Sequence, residues 1–263
     1  MGSDRIELRP TIDRAWLERE AEKDPVTHAY ALWDLDRFPD RVRFVSACRG
    51  ESTVAYVLIW QPPDRPPMAI WVGPAIEALA PALPPRPLIV TGSDAVRPLV
   101  ERDRAPAVVY PILVEIARRG TRPPLTAHDA QVRRLTPRDV PRLAGIAEGS
   151  TDVIATSYAA LDLDTEVAFG GFDGEELVAV ARAVVRLPTV WLVSGVFVRP
   201  SRRGQGWGQA ITRAVQLEAE RARAPCALFV REDNVPAVTA YERLGFRPVD
   251  RRFWLDCGVH LSP

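Results

Sequence analysis

The chain has 263 residues, of which 47% are hydrophobic and 26% charged, a composition typical of a soluble globular protein with one large domain or two of ordinary size. Its 34 basic and 34 acidic residues cancel, so we expect neither a nucleic-acid partner nor attachment to a membrane. The three cysteines and three histidines are scattered and no signal-peptide pattern opens the chain, so we expect reduced thiols, no metal site and a cytoplasmic location.

The first half, residues 1–122, predicts an α+β domain. Helical patterning over 11–36 is interrupted by Pro25. Apolar runs then predict one short helix and four strands, with the helix at 76–83 and the strands at 43–47, 53–60, 68–72 and 87–91. Residues 107–118 are apolar enough for a strand followed by a helical turn, whose boundaries stay open. The glycine and prolines of 118–126 predict a linker.

The second half, residues 127–263, predicts alternating strands and helices. Thr136 as N-cap, with Pro137 in the first turn, predicts a helix that runs to about Glu148. The sequence Asp-Gly-Glu at 173–175 predicts a hairpin turn. Apolar runs predict strands at 132–135, 167–172, 177–185, 190–198, 226–230 and 246–255, and helical patterns begin at Trp207 and Val235.

The most informative stretch is the junction between the strand 190–198 and the helix after it. Three glycines alternate there, at Gly204, Gly206 and Gly208. Without a Cβ they let a ligand approach the backbone, where free amides and the positive end of the helix dipole bind anions. Arg202 and Arg203 add charge, so we expect a diphosphate at 203–208, the glycine turn. The alternative is a turn without a ligand, and the spacing is neither that of a Rossmann fold nor that of a P-loop.

The motif V-F-V-x-P-x-x-R-G-x-G-x-G resembles the acyl-CoA-binding motif of the GCN5-related N-acetyltransferase (GNAT) superfamily. Asn234, Ala237 and the run 241–246 resemble the closing helix and strand of that family, so the resemblance covers about residues 130–256. It implies a mixed α/β sheet with the GNAT fold in the C-terminal half. The first half parallels this order without the glycines, which indicates a degenerate GNAT-like half, as in FR47-like and glycine N-acyltransferase-like proteins. The alternative is an unrelated α+β cap.

The resemblance also implies which residues hold acetyl-CoA as co-substrate. The end of the fourth strand would bind the pantetheine arm through its backbone, and the glycine turn would bind the diphosphate. Asn234 matches a position that often contacts CoA in the family, in addition to capping a helix. The implied binding residues are Val196, Phe197, Val198, Arg203, Gly204, Gln205, Gly206, Trp207, Gly208, Gln209 and Asn234.

Tyr241 is the candidate general acid. Its phenol is protonated at neutral pH, and matching family positions often carry a tyrosine in this role. The alternative is a core tyrosine. No general base is assigned, because the fourth strand has no carboxylate where many family members carry a glutamate. Ser194 could position a water molecule. Other candidates for the base are Asp164, Glu166 and Glu232, and the alternative for each is a solvated carboxylate on the surface.

These features predict an acyl-CoA-dependent N-acyltransferase that moves acetyl from acetyl-CoA directly to a small-molecule amine in a ternary complex. Two alternatives stay open: a non-catalytic CoA-binding module for sensing or assembly, and an O-acyltransferase on the same scaffold. The acceptor, the preferred acyl length and the choice between monomer and homodimer also stay open. We expect the first half to help wall the acceptor cavity. Candidate contributors are Trp33, Tyr56, Trp60 and Trp71, and the alternative for each of them is core packing.

Overall fold

The computed structural model describes residues 5–62, 66–104, 106, 108–147, 158 and 161–259. The chain divides into two compact units. Unit 1 comprises Met1–Leu113 and Asp250–Leu261, and unit 2 comprises Val114–Val249 and Ser262–Pro263. The division after Leu113 differs from the linker predicted at 118–126. Each unit therefore includes a short segment from the other half of the sequence.

Unit 1 contains strands β1 to β5 and helices α1 to α3. The strands are β1 Ile6–Arg9, β2 Val42–Arg49, β3 Ser52–Trp60, β4 Met68–Val72 and β5 Leu88–Ser93, and the helices are α1 Arg14–Lys23, α2 Pro25–Arg37 and α3 Arg97–Arg104. Neighbouring strands from β1 to β4 are antiparallel, and β4 and β5 are parallel. Residues 252–257, in the last strand of the chain, pair antiparallel with β5.

Local sequence explains the boundary between the first two helices. Asp24 ends α1, and its carboxylate accepts a hydrogen bond from the Thr27 amide at the start of α2. Pro25 occupies the first position of α2, where its missing N–H is not needed. The predicted interruption at Pro25 is therefore the point at which one helix ends and the next begins.

Two expectations for unit 1 are corrected. Tyr56 and Trp71 are fully buried in its core, so these two side chains do not line an open cavity. Residues 108–117 form one continuous strand, β6 (Val108–Ala117), without a helical turn. Helix α3 was not predicted because its sequence is dominated by charged residues and it buries only Val100. The predicted helix at 76–83 is a 3-10 helix over Glu77–Ala82.

Unit 2 has strands in the order β6, β11, β10, β9, β8, β7. The strands are β7 Val132–Arg134, β8 Val167–Asp173, β9 Glu176–Arg186, β10 Trp191–Val198 and β11 Cys226–Arg231, and the helices are α4 Val140–Ala147, α5 Trp207–Arg221 and α6 Val235–Arg243. Strands β7 to β10 pair antiparallel, whereas β10 and β11 are parallel. The last strand, β12 (Arg247–Cys257), begins in unit 2 and ends in unit 1.

The turns of unit 2 follow the predicted chemistry. Gly174 has φ +62° between β8 and β9, as a tight hairpin requires. The Asp139 carboxylate accepts hydrogen bonds from the amide and hydroxyl of Thr136, at the start of a 3-10 turn that leads into α4. The predicted end of this helix, Glu148, lies outside the described residues. No helix in the described part of the chain is long and apolar enough to cross a membrane.

Candidate active site

The first feature of the site is an opening between β10 and β11. These parallel strands pair only at their beginnings, where the last partners are Val193 and Leu228. Beyond that pair, β10 continues to Val198 without a partner on the β11 side in the described ladder, although β9 stays paired on its other side. The end of β10 therefore presents backbone groups that an extended ligand could pair with. Val196, Phe197 and Val198 lie on this unpaired part.

A bulge in β10 sits at this opening. Gly195 and Val196 fall between the partners of Ser194 and Phe197, where the register with β9 shifts. Gly195 has φ +64°, and a Cβ there would lie 2.7 Å from the Tyr158 hydroxyl. That hydroxyl donates a hydrogen bond to the Gly195 carbonyl. Only glycine fits at position 195. The sequence analysis did not single out Gly195 or Tyr158, although a glycine inside a strand often indicates a bulge.

The second feature is the glycine turn between β10 and α5. Gly204 and Gly206 have φ values of +75° and +91°, and Gly206 precedes the first residue of α5 without a side-chain cap. Among described residues, none accepts a hydrogen bond from the amides of residues 204–209. A Cβ on Gly204 would meet nothing within 4 Å. Unpaired amides in an open turn at a helix N-terminus fit the phosphate groups of CoA.

The two arginines of the turn have different surroundings. The Arg202 guanidinium forms an ion pair with Asp173 at 2.9 Å, and its distance to Glu176 is 3.7 Å. Arg203 Nε donates to the Val198 carbonyl at 3.2 Å, which connects the turn to the end of β10. Arg203 is exposed, so its positive charge lies at the surface of the turn.

The side chains in and after the turn have different roles. Gln205 Nε2 donates to the Ser201 carbonyl at 3.3 Å within the turn. The Trp207 indole is buried and stacks on His128, so only its backbone amide can face a ligand. A Cβ on Gly208 would lie 3.7 Å from Val198 Cγ2, so the start of α5 lies close to the end of β10. Gln209 is half-buried in the first turn of α5.

The third feature is Tyr241 on α6. Its side chain is buried, and burial, reinforced by the charge of Glu115, raises the pKa of its phenol above the usual value. Burial also raises the pKa of Tyr158, with a smaller contribution from Tyr241. At neutral pH the Tyr241 phenol is therefore protonated, as a proton donor must be.

Glu115 on β6 is a buried carboxyl group that sequence reasoning overlooked. It is 0% exposed, and neither carboxyl oxygen has a hydrogen-bond partner among the described residues. Burial raises its pKa to about 7; Glu242 adds to this shift and Arg247 opposes it. The only sequence signal is a glutamate in the apolar run 112–117. A buried carboxyl group without a hydrogen-bond partner among the described residues, whose charge acts on Tyr241, is a candidate for a functional group.

The remaining predicted residues are placed as follows. Asn234 Oδ1 accepts a hydrogen bond from the Ala237 amide at 3.4 Å, so its capping role is observed. Ser194 is half-buried and lies opposite Arg182 of β9. The other carboxylates named as alternatives for the base are either exposed or half-buried, namely Asp164, Glu166 and Glu232.

The match to a known family covers the site. Residues 140–246 match the family model described as the acetyltransferase (GNAT) family. This span includes the β10 opening, the glycine turn and Tyr241. The resemblance that the motif indicated is therefore confirmed over this part of the chain.

Individual proteins resemble the chain over different spans. A mycothiol acetyltransferase from Streptomyces scabiei is 42% identical over 83 residues, which is 30% of this chain. The match covers 26% of that relative, so the chain spans about a quarter of the length of the curated relative it matches. The solved structure of a Drosophila protein superposes with a TM-score of 0.65 at 15% sequence identity. The match covers 94% of this chain and 97% of the Drosophila chain.

The solved structure of a tandem GNAT protein from the clavulanic acid biosynthesis pathway superposes with a TM-score of 0.59 at 14% sequence identity. The match covers 97% of this chain and 99% of the tandem GNAT chain. At such identities the likeness of both solved structures concerns the fold alone. It extends over both halves of the chain. The predicted mixed α/β fold of the GNAT type is therefore confirmed.

Proposed function

We propose that this protein is an acyl-CoA-dependent N-acyltransferase that transfers acetyl from acetyl-CoA to the amine of a small molecule in the cytoplasm. The observation that carries the proposal is the β10 opening, which leads directly into an open turn of unpaired amides. The name of the curated relative, mycothiol acetyltransferase, is consistent with acetyl as the transferred group.

Two stretches of backbone would hold acetyl-CoA. The unpaired edge at 196–198 offers N–H and C=O groups to the amides of the pantetheine arm, much as a neighbouring strand would. The amides of 204–209 would bind the diphosphate, assisted by Arg203, Gln205 and Gln209 around the turn. Asn234, at the start of α6, would add a contact from the other side of the opening. An amide of β10 would also polarise the thioester carbonyl.

The chemistry needs a proton donor at the sulfur. As the amine nitrogen attacks the thioester carbon, a C–N bond forms and the C–S bond breaks. The departing thiolate takes its proton from the Tyr241 phenol, and the amine releases a proton to water. Ser194 on β10 would orient that water molecule. The raised pKa of Tyr241 keeps the phenol protonated until the sulfur needs the proton.

The cysteines support direct transfer without an acyl-enzyme intermediate. Cys48, Cys226 and Cys257 are free and buried. Burial raises the pKa values of Cys226 and Cys257 above the usual thiol value, which disfavours the thiolate that would accept an acyl group. We therefore propose a ternary complex in which the amine attacks the bound thioester.

The proposal is tested on the full chain, because unit 2 begins at Val114 and a fragment that contains only the second half, 127–263, would lack the first residues of this unit. Purified protein is mixed with acetyl-CoA and a panel of small amines, and released CoA is measured with a thiol reagent. We expect amine-dependent release of CoA and an N-acetylated product by mass spectrometry. Propionyl-CoA and longer acyl-CoA donors then define the preferred acyl length.

Three results would contradict the proposal. Failure to bind acetyl-CoA in calorimetry would show that the glycine turn is misassigned. Binding without transfer to any amine would favour a CoA-binding module. Transfer to a hydroxyl compound, with an ester product, would identify an O-acyltransferase instead.

A further inference from the structure

His128 lies against the glycine turn, although it precedes that turn by more than 70 residues. Its imidazole stacks on the indole of Trp207, with ring centroids 3.8 Å apart and an interplanar angle of 8°. Its Nε2 lies 2.9 Å from the carbonyl oxygen of Gln205. A carbonyl only accepts hydrogen bonds, so Nε2 carries the proton and donates it.

The segment that carries His128 is fixed to α5. The Asp129 carboxylate pairs with Arg213 at 3.0 Å and accepts hydrogen bonds from the amide and hydroxyl of Thr126. The other ring nitrogen, Nδ1, lies 2.7 Å from the end of the Gln131 side chain. Because Nδ1 accepts when Nε2 carries the proton, this contact is a hydrogen bond with the Gln131 amide turned so that its nitrogen donates. The imidazole is thus held on its face by Trp207 and at its edge by Gln131, with Nε2 directed at the turn.

The hydrogen bond to the Gln205 carbonyl has a consequence for the next amide. In a trans peptide the C=O and the N–H of one unit lie in one plane and point in opposite directions. Holding the Gln205 carbonyl toward His128 therefore directs the Gly206 N–H away from it. That N–H is one of the unpaired amides of the glycine turn. The same contact keeps the negative end of the carbonyl away from an incoming anion.

Without the hydrogen bond from His128, Gly206 would allow the peptide between Gln205 and Gly206 to rotate. Its φ of +91° is accessible to glycine at little cost, but glycine also allows many other conformations. A Cβ there would meet only His128 Cδ2, at 3.9 Å, so packing around Gly206 restricts it little. Among the described contacts, the His128 hydrogen bond is what holds the peptide between Gln205 and Gly206 in one orientation.

We propose that His128 is a positioning residue that preorganises the glycine turn for the diphosphate of CoA. This inference rests on the proposed function, because it concerns the same site. His128 acts through the peptide between Gln205 and Gly206. The benefit is that the turn does not have to be ordered when the ligand binds.

The test compares two substitutions of His128 in the full chain. His128→Phe keeps a flat ring against Trp207 and removes the N–H donor. His128→Gln removes the ring and places an amide N–H where Nε2 lies. If the hydrogen bond is what matters, His128→Phe weakens acetyl-CoA binding about five- to tenfold in calorimetry, and His128→Gln retains most of the affinity. Leu125→Ala, at an exposed position before the segment, is the control and should bind as the wild type does.

A second readout separates positioning from general destabilisation. In ³¹P NMR spectra of bound CoA, the diphosphate signals should move toward their free positions in His128→Phe, while the 3′-phosphate signal stays unchanged. Equal affinities and spectra for wild type and folded His128→Phe would overturn the inference and leave the proposed function intact. So would equal losses in both variants, which would assign the effect to stacking. Absence of acetyl-CoA binding by the wild type would overturn both proposals.

Discussion

Parallel neighbouring strands occur in both units, β4 with β5 in unit 1 and β10 with β11 in unit 2, and the segments that connect the two strands of each pair differ. In unit 2, β10 leads through the glycine turn into the 15-residue helix α5 before β11. In unit 1, β4 leads through Gly73 and a 3-10 helix over Glu77–Ala82 before β5. A 3-10 helix of six residues with a proline inside it cannot align a long row of peptide dipoles.

The glycines of the two connections show why a positive φ alone does not indicate a ligand site. Gly73 has φ +94°, but a Cβ there would lie 2.8 Å from the Val54 carbonyl oxygen, so this glycine serves close packing of the backbone. The Trp71 indole N–H also donates to the Pro74 carbonyl at 3.2 Å. Gly204 has a similar φ, with nothing within 4 Å of its Cβ position. Open space at the Cβ position therefore distinguishes Gly204 from the closely packed Gly73.

The largest expected effect concerns Tyr241. Tyr241→Phe should lower kcat by about 10²- to 10⁴-fold with little change in acetyl-CoA affinity, because it removes the proton donor and keeps the buried ring. Steady-state kinetics and calorimetry measure the two quantities. The matched control is Tyr56→Phe in unit 1, whose buried hydroxyl lies 3.0 Å from His28 Nδ1. If both variants keep the kcat of the wild type, Tyr241 is a core residue like Tyr56.

The next effect concerns a buried carboxyl in each unit. Burial raises the pKa of Glu115 and of Asp34 to about 7. The folded state therefore holds these protons up to about pH 7, whereas the unfolded state releases them near pH 4. The contribution of each carboxyl group to the free energy of unfolding is fully present below the pKa of the unfolded state. It is lost as the pH rises to 7, by about 1.4 kcal/mol for each step of one in pH.

Glu115→Gln should remove this dependence. The variant should be more stable than the wild type by up to about 3 kcal/mol at pH 8, and the difference should disappear near pH 4.5. Asp34→Asn should behave in the same way in urea unfolding at several pH values. Only Glu115→Gln should also change the pH profile of kcat, because the charge of Glu115 acts on Tyr241. A change in that profile for Asp34→Asn would break the distinction between the units.

The smallest effect concerns the glycine turn itself. Gly208→Val should weaken acetyl-CoA binding about tenfold or more, because a branched side chain crowds the amides at the start of α5. Gly208 suits this test better than Gly206, since its φ is not in the left-handed region. Gly145→Val on α4, where a Cβ would meet nothing within 4 Å, is the control. Wild-type titration should give one site per chain, and two sites would mean that unit 1 binds CoA as well.

Short-range patterns in the sequence identified most of the elements that build the site. Pro25 marked the boundary between two helices, and Asp-Gly-Glu marked the hairpin between β8 and β9. The three alternating glycines marked the turn before α5. These signals depend on the conformations that single residues allow, and they act within a few positions of the chain. The GNAT fold of the second half was predicted from the resemblance of its glycine motif to that family.

Partners distant in sequence were decided only by the tertiary structure. Arg202 pairs with acidic residues of the β8–β9 hairpin, and the buried Glu115 acts on Tyr241 more than 120 positions later. His128 contacts the glycine turn through the Gln205 carbonyl. The boundaries of the two compact units, after Leu113 and after Val249, also depend on contacts between residues that are distant in sequence. Charge and residue type are visible in the sequence, but burial and contact depend on which surfaces pack together. The sequence by itself therefore predicted the glycine turn, and the tertiary structure decided which distant side chains contact that turn and which charges act on Tyr241.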